Sequence, residues 1–330
     1  PAALHVVIAT RADPPLPLAK LRARSAMLEL RQADLCFTPQ EAADFLNHTM
    51  GLQISTEDAA RITARTEGWI AGLQMAALSM QNTEDISGFI ATLNGSHHFI
   101  FDYLLEEILR QQPPEIRRFL LYTSILDHLT PGLCDAMLEE ENNASAAQPS
   151  SDILKKLDQA NLFILPLDHE RRWYRYHHLF ADLLRLMLEQ QQPGISAELH
   201  HRACRWYEAQ GMLPEALKHA IASGDMQRVT QVISANVLVL VENNEIAPTL
   251  QRLDALPPEQ RACLPWLGVA HAWALAYTGQ MERAEAALAQ AEQRQDTLPE
   301  HERKRMMGHI GVVRAYDAWV RGNQQQAVEF

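Results

Sequence analysis

The sequence predicts a mainly α-helical chain that enters through one strand of an α/β sheet and leaves through a run of helical hairpins. Three observations carry this. First, Leu4-His5-Val6-Val7-Ile8-Ala9 is a short, β-branched apolar run that breaks at once into Thr10-Arg11-Ala12-Asp13-Pro14-Pro15, as a fully buried strand of a parallel sheet does. Second, Leu162 to Leu167 and Trp173 to Tyr176 read as two strands joined by a polar turn from Asp168 to Arg172. They follow a series of helices, which is the layout of a winged helix. Third, from about residue 195 onward every segment reads as helix, and Gly211, Gly279 and Gly322 are each followed five residues later by Ala216, Ala284 and Ala327. Small residues at fixed offsets around a helix–helix turn are the signature of a tetratricopeptide-like solenoid.

No later segment supplies the sheet that the first strand would join. The chain therefore reads as a segment that starts inside an α/β domain, and the last residues read as stopping within a helix. After Pro14-Pro15-Leu16-Pro17, apolar residues return at helical spacing: Leu18, Leu21, Met27, Leu28 and Leu30. Thr38-Pro39-Gln40-Glu41 places an N-cap threonine before a proline at the first helical position, with Glu41 completing a capping box. Ser55-Thr56-Glu57-Asp58 opens another helix, and Gly68 to Met80 forms an alanine-rich one. Asn94-Gly95-Ser96 marks a break before a helix from about His98 to Gln111. Pro113-Pro114-Glu115 starts the next, Thr130-Pro131 leads into a helix over Leu133 to Glu140, and Glu141 to Ser151 reads as a flexible polar loop. A helix over Ile153 to Asn161 then precedes the hairpin. Four segments follow: 1–33 before the helical unit, 34–94 as a small helical domain, 95–192 as the winged helix and 193–330 as the start of the repeats.

The 330 residues carry 47% hydrophobic and 21% charged side chains and a net charge of −12. That balance argues against nucleic-acid binding by the segment as a whole, since phosphate contacts need clustered Lys and Arg. One stretch departs from it: Arg11, Lys20, Arg22, Arg24 and Arg31 face only Asp13 and Glu29. The stretch is either a solvated helix face or a basic rim around an anionic ligand. No apolar run reaches the length of a membrane span, no secretory signal is visible, and four scattered cysteines suit a reduced cytoplasm.

The chemistry is defined first by what is missing. There is no G-x-x-x-x-G-K-S/T, no G-x-G-x-x-G, no G-x-S-x-G, no H-E-x-x-H and no C-x-x-C. The histidine doublets His97-His98, His177-His178 and His200-His201 make poor chelates, because neighbours on a helix do not share a face. No catalytic and no metal-binding residue is expected. Three places remain. Arg11 sits beyond the carboxyl end of the first strand, where ligands of such sheets bind, and a guanidinium suits a phosphate. Thr66 to Leu78 is a helix thinned by small residues, either for close helix packing or for approach of a flat ligand to its backbone. His177 lies where a strand meets the next helix, either as a cap or core residue or as a switchable donor at an anion-collecting helix start.

Together these stretches resemble the MalT/LuxR-type ATP-dependent transcriptional regulators of the STAND class of signal-transduction NTPases. The resemblance is carried by Val7 to Arg24, by Glu29-Leu30-Arg31 through Phe37-Thr38, by Thr66-Glu67-Gly68-Trp69-Ile70-Ala71-Gly72-Leu73-Gln74 and by Arg172 to Leu184. It implies a remnant parallel strand of an α/β NTPase domain, a small helical domain, a winged-helix domain and tetratricopeptide-like helical repeats. It further implies that Arg11 senses the γ-phosphate of ATP and that His177 approaches the β-phosphate of ADP. Gly72 and Gln74 fall where relatives carry Gly-Leu-Pro against the adenine, with Gln74 here replacing the proline. In the intact protein, ATP or ADP with Mg would act as a slow ATPase switch; this segment alone, lacking the phosphate-binding loop, is expected to be no enzyme and to hold no cofactor. The implied partners are an inducer on the repeats, further copies of the protein, and DNA through a C-terminal helix-turn-helix.

Two other readings compete. One is an adaptor whose repeats bind a protein without nucleotide; it leaves the Thr-Arg-x-Asp-Pro-Pro strand end without a purpose. The other has the winged helix read DNA through Pro131 to Glu140, but that stretch holds Asp135, Glu139 and Glu140 and no Lys or Arg.

Overall fold

The structure is a computed structural model that describes residues 6–10, 13–81, 85–94, 97–139, 148–242, 251 and 264–329. The chain divides into two compact units, Pro1–Ile195 and Ser196–Phe330.

The start of the chain departs from expectation. Residues 6–10 have no regular secondary structure, and Val6, Val7 and Ile8 are exposed, Val7 to 96%. A strand of this composition holds only between neighbours, and among the described residues none pairs with it. The expected helix begins as α1 (Leu18–Ala23) but ends there, because Ser25 turns the chain at a φ of 51°. Leu28 and Leu30, expected on its apolar face, are exposed. Two cations of the basic stretch are paired from within: Arg22 and Arg31 both bind the Glu29 carboxylate, and Arg31 reaches Asp13 at 2.6 Å. Arg22 and Arg31 together hold Glu29 down to about 2. Arg11 lies outside the described residues.

After α2 (Gln32–Leu35) the capping box forms as the sequence requires. Thr38 caps α3 (Pro39–Asp44): its Oγ1 accepts the Glu41 N–H at 3.3 Å, and Glu41 accepts the Thr38 N–H at 2.9 Å. A π-helical turn, Phe45–Thr49, extends α3. Ser55 caps α4 (Thr56–Thr66), which is followed by α5 (Ile70–Met80) and by α6 (Ile86–Thr92), a helix the sequence reading passed over. Its cap is Asp85, which accepts the Gly88 N–H at 2.8 Å.

The next helix, α7 (His98–Leu104), again runs into a π-helical turn, Leu105–Leu109. α8 (Pro114–Thr123) buries Phe119, Leu120 and Leu121, and α9 (Pro131–Leu138) carries the Thr130 cap. α10 (Ser150–Gln159) starts inside the segment expected as loop, with Ser150 and Ser151 helical; residues 141–147 of that segment, and residue 140 at the end of the helix expected before it, lie outside the described residues. The hairpin is present as β1 (Ile164–Pro166) antiparallel to β2 (Tyr174–Tyr176), with Leu165 opposite Arg175. A single bridge from Leu129 to Tyr174 adds a third, minimal strand that the sequence did not announce. Alternation along β2 buries Tyr174 and Tyr176 and turns Arg175 to the other face. The Tyr176 hydroxyl, at 2.7 Å from Thr123 Oγ1, ties the hairpin to the end of α8. α11 (His178–Gln191) closes the domain and buries Leu179, Phe180, Leu183, Leu184 and Leu188.

The second unit is helical throughout its described residues. α12 (Ile195–Ala209) and α13 (Leu213–Ala222) form one hairpin, α14 (Met226–Glu242) follows, and α15 (Pro265–Tyr277) with α16 (Met281–Glu292) forms another. α17 (Glu300–Val320) and α18 (Gln324–Glu329) form the last. The glycine echo has one physical cause. Gly211, Gly279 and Gly322 take φ values of 73°, 74° and 79° at the three hairpin turns. Each N–H bonds the carbonyl three residues back (Glu208, Ala276, Trp319), and the following N–H bonds the carbonyl five back (Tyr207, Leu275, Ala318). This is the Schellman helix stop, which needs a left-handed residue and so selects glycine. Ala216 and Ala284 are buried and Ala327 half-buried on the helices that follow.

Thr38→Ala removes the cap acceptor of α3 and is expected to lower stability by about 1 kcal/mol. Urea unfolding of both proteins measures the difference.

Candidate functional site

Two of the described candidate residues, His177 and Gly72, come together where α4 meets the winged helix. At the end of α4, Thr63 and Thr66 turn their hydroxyls back onto the carbonyls of Ala59 and Ile62. Glu67 caps the helix in the left-handed region at φ 51°, and Gly68 follows at φ 72°. Only glycine fits this second position. A Cβ there would stand 2.5 Å from the Phe37 carbonyl oxygen, while the Gly68 carbonyl accepts the Phe37 N–H at 2.8 Å. The turn thereby fixes the direction in which Glu67 leaves the backbone.

Trp69 then covers α5. Its ring fills the flank of Gly72, where a Cβ would lie 2.6 Å from Cε3. Phe163 meets the indole edge-on at 5.0 Å between centroids, with Tyr103 at 5.6 Å and the His177 ring at 6.0 Å. The small residues of this helix thus serve close packing, and the approach to Gly72 is taken by the chain's own indole. Gln74 stands exposed on α5.

From the winged helix come three neighbouring residues, Arg175, His177 and His178. His177 is the N-cap residue of α11, held by its own N–H on the Phe163 carbonyl at 2.8 Å. Its side chain is buried, and Nε2 lies 3.0 Å from the Thr66 carbonyl oxygen. A carbonyl only accepts, so Nε2 carries the hydrogen. That leaves Nδ1 buried with no hydrogen-bond partner, 4.0 Å from Glu67 Oε1. Arg175 grips Glu67 bidentately, Nη1 to Oε1 and Nη2 to Oε2, both at 2.8 Å. The His178 N–H, first of α11, donates to Oε1 at 3.0 Å, and His178 Nδ1 stands 3.1 Å from the same oxygen.

The electrostatics follow. Burial pushes the Glu67 carboxyl up, but the Arg175 hydrogen bonds, the imidazole of His177 and the His178 amide override it and hold it at about 2. Burial lowers His177 more than Glu67 raises it, so the imidazole is neutral at neutral pH. Arg175 and the helix start therefore carry the carboxylate there. A shallow cleft of about 280 Å³ opens beside the pair, lined by Gln32, Cys36, Glu67, Arg175 and the hairpin residues Leu165, Pro166 and Leu167.

Of the residues singled out in the sequence, His177 and Gly72 meet here through Trp69, Gln74 lies on the exposed side of α5, and Arg11 lies outside the described residues. Glu67 and Arg175, which dominate the geometry, were not singled out. The signal was present: an acid followed by glycine at a helix end, and an arginine between two tyrosines that alternation must bury. Among the described residues, no group of three metal-ligating side chains is gathered. No described helix is long and apolar enough to cross a membrane.

The fold and the site define a winged-helix protein whose winged helix is locked onto a preceding helical unit. Residues 105–196 match the MalT winged helix domain. The chain is 32% identical over 277 residues to the HTH-type transcriptional regulator MalT of Yersinia enterocolitica, covering 83% of this chain and 30% of that protein. It is 31% identical over 296 residues to MalT of Yersinia pestis, covering 88% and 32%. It is also 31% identical over 319 residues to the serine/threonine-protein kinase PknK of Mycobacterium tuberculosis, covering 94% and 28%. The chain resembles the MalT-like regulators over most of its own length and spans about a third or less of the length of these relatives.

Because folding lowers the Glu67 carboxyl from 4.5 to about 2, its contribution to stability is complete above the unfolded value and is lost as pH falls from 4.5 through 2. Glu67→Gln is expected to melt at a lower temperature than the wild type at neutral pH, with the gap closing toward pH 2. A gap that stays constant over that range would contradict this assignment.

Proposed function

We propose that this chain is the switch segment of a nucleotide-controlled transcriptional regulator of the MalT/LuxR type, in the STAND class. The observation that carries the reading is the buried His177 Nδ1, without a partner, beside the start of α11. Helix N-termini favour anions through free N–H groups and the dipole, so the phosphate end of ADP suits this place. At Gly72 the fit is poorer, since the Trp69 ring occupies the flank that a base would need. The bound nucleotide would supply a diphosphate whose charge is read differently in its ADP and ATP forms. His177 would meet that charge from the winged helix and Arg11 from the nucleotide-binding domain, with Mg in the intact protein. Gly72 and Gln74 would face the base only after Trp69 moves.

Around this switch, 193–330 would act as a tetratricopeptide-like sensor for an inducer, and the active form would self-associate. DNA would be bound through a C-terminal helix-turn-helix, in the cytoplasm. Turnover would be slow and serve the switch rather than metabolism. The relatives support one further point. A similar segment occurs in proteins named as transcriptional regulators and in one named as a kinase, so the segment would control an output that resides elsewhere in each chain.

Calorimetry with ADP on the full-length protein tests this reading. Losing a charge-assisted contact costs about 1.5–3 kcal/mol, so His177→Ala should weaken ADP binding, and Arg11→Ala ATP binding, about tenfold or more. Absence of ADP binding would favour the adaptor, which uses the repeats alone. In a reporter assay, His177→Ala is expected to activate transcription without inducer, because the closed form loses its phosphate contact; an unchanged need for inducer would refute that role.

A further inference from the structure

Glu67 stands where a free anion would be held. Its carboxylate lies at the start of α11, a helix of 14 residues, accepts the His178 N–H at 3.0 Å, and is gripped by Arg175 at 2.8 Å on both oxygens. Beside it, His177 is 1% exposed and presents an Nδ1 with no hydrogen-bond partner, 4.0 Å from Oε1. Two carboxylate oxygens are already spent on Arg175 and His178. The site therefore holds more nitrogen atoms than its occupant satisfies, which is unusual for a buried polar group. A phosphoryl group has three oxygens and a second negative charge. The groups facing the imidazole are Glu67 from the end of α4, Arg175 and His178 from the winged helix, and the rings of Trp69 and Phe163. With Nε2 fixed on the Thr66 carbonyl, Nδ1 can donate to an anion by taking up a proton, and the second phosphoryl charge favours that proton.

We propose that Glu67 is a tethered plug: its carboxylate fills a phosphoryl-binding site built from Arg175, His177 and the His178 amide, and it must swing out before a phosphate-bearing ligand can enter. The Glu67 backbone stays where the Gly68–Phe37 contact pins it, and side-chain torsions alone take the carboxylate into the adjoining cleft. Arg175 then passes from one anion to the other without being left alone. The identity of the ligand as a nucleotide rests on the function proposed above; the plug itself does not.

The test is calorimetry on the nucleotide-free full-length protein with pyrophosphate as the probe. Glu67→Gln is expected to bind pyrophosphate at least tenfold more tightly than the wild type, and adding Arg175→Met to Glu67→Gln is expected to abolish the gain. Equal binding by wild type and Glu67→Gln overturns the plug. If Glu67→Gln does not fold by circular dichroism, Glu67→Asp, one methylene too short to span the site, is read by the same criterion. A gain for pyrophosphate without any binding of ADP upholds the plug and refutes the nucleotide reading. No gain for pyrophosphate, with ADP still weakened by His177→Ala, overturns the plug and leaves the nucleotide reading standing.

Discussion

The bidentate ion pair between Glu67 and Arg175 is the interaction on which the first unit depends. It joins residues 108 apart in sequence, and it does so at the two least regular points of their elements: a left-handed helix cap and the middle of a three-residue strand. A strand that short has almost no hydrogen-bond ladder of its own. Its place is set instead by Tyr174 and Tyr176 on the buried face and by Arg175 on the other. A half-buried pair of this kind offers little net stability once desolvation is counted, yet breaking it by removing one partner is costly. Its role is therefore better described as fixing geometry than as adding stability. It aligns the end of α4 with the start of α11, and thereby brings His177 against Thr66.

The same junction joins packing to chemistry. Trp69 caps Gly72, touches Phe163 and Tyr103, and forms one wall of the His177 site. A movement of the winged helix relative to α5 would disturb an aromatic cluster as well as an ion pair. Interfaces of that composition have few intermediate arrangements, because interdigitated rings resist gradual sliding.

Much of this was legible in the sequence where the cause is local. The Thr38 capping box, the Ser55 and Thr130 caps, the hairpin at 164–176 and the three glycine stops all follow from residues within a few positions of one another. The failures are cases in which the cause lies elsewhere. The apolar run at 6–9 has strand composition but no pairing partner among the described residues, so it stands exposed. Leu28 and Leu30 keep helical spacing, yet Ser25 and the ion pairs of Glu29 turn the chain away. Leu129 joins the sheet through one bridge, too short to leave a pattern. At the candidate site, His177 and Gly72 could be picked out by type and position, whereas nothing within a few residues of Glu67 or Arg175 points each to the other, 108 positions away. Their importance arises only when the chain brings them together.

The three Schellman stops of the second unit have a consequence of another kind. Each is closed by two backbone hydrogen bonds and one glycine, and none depends on the length of the helices it joins. The glycines are unevenly spaced along the chain, while the turn geometry is nearly invariant. Such joints tolerate insertion and deletion between them, since lengthening a helix by a turn leaves the corner intact. An array built this way can vary its reach and the surface it presents through simple indels without having to reinvent its fold.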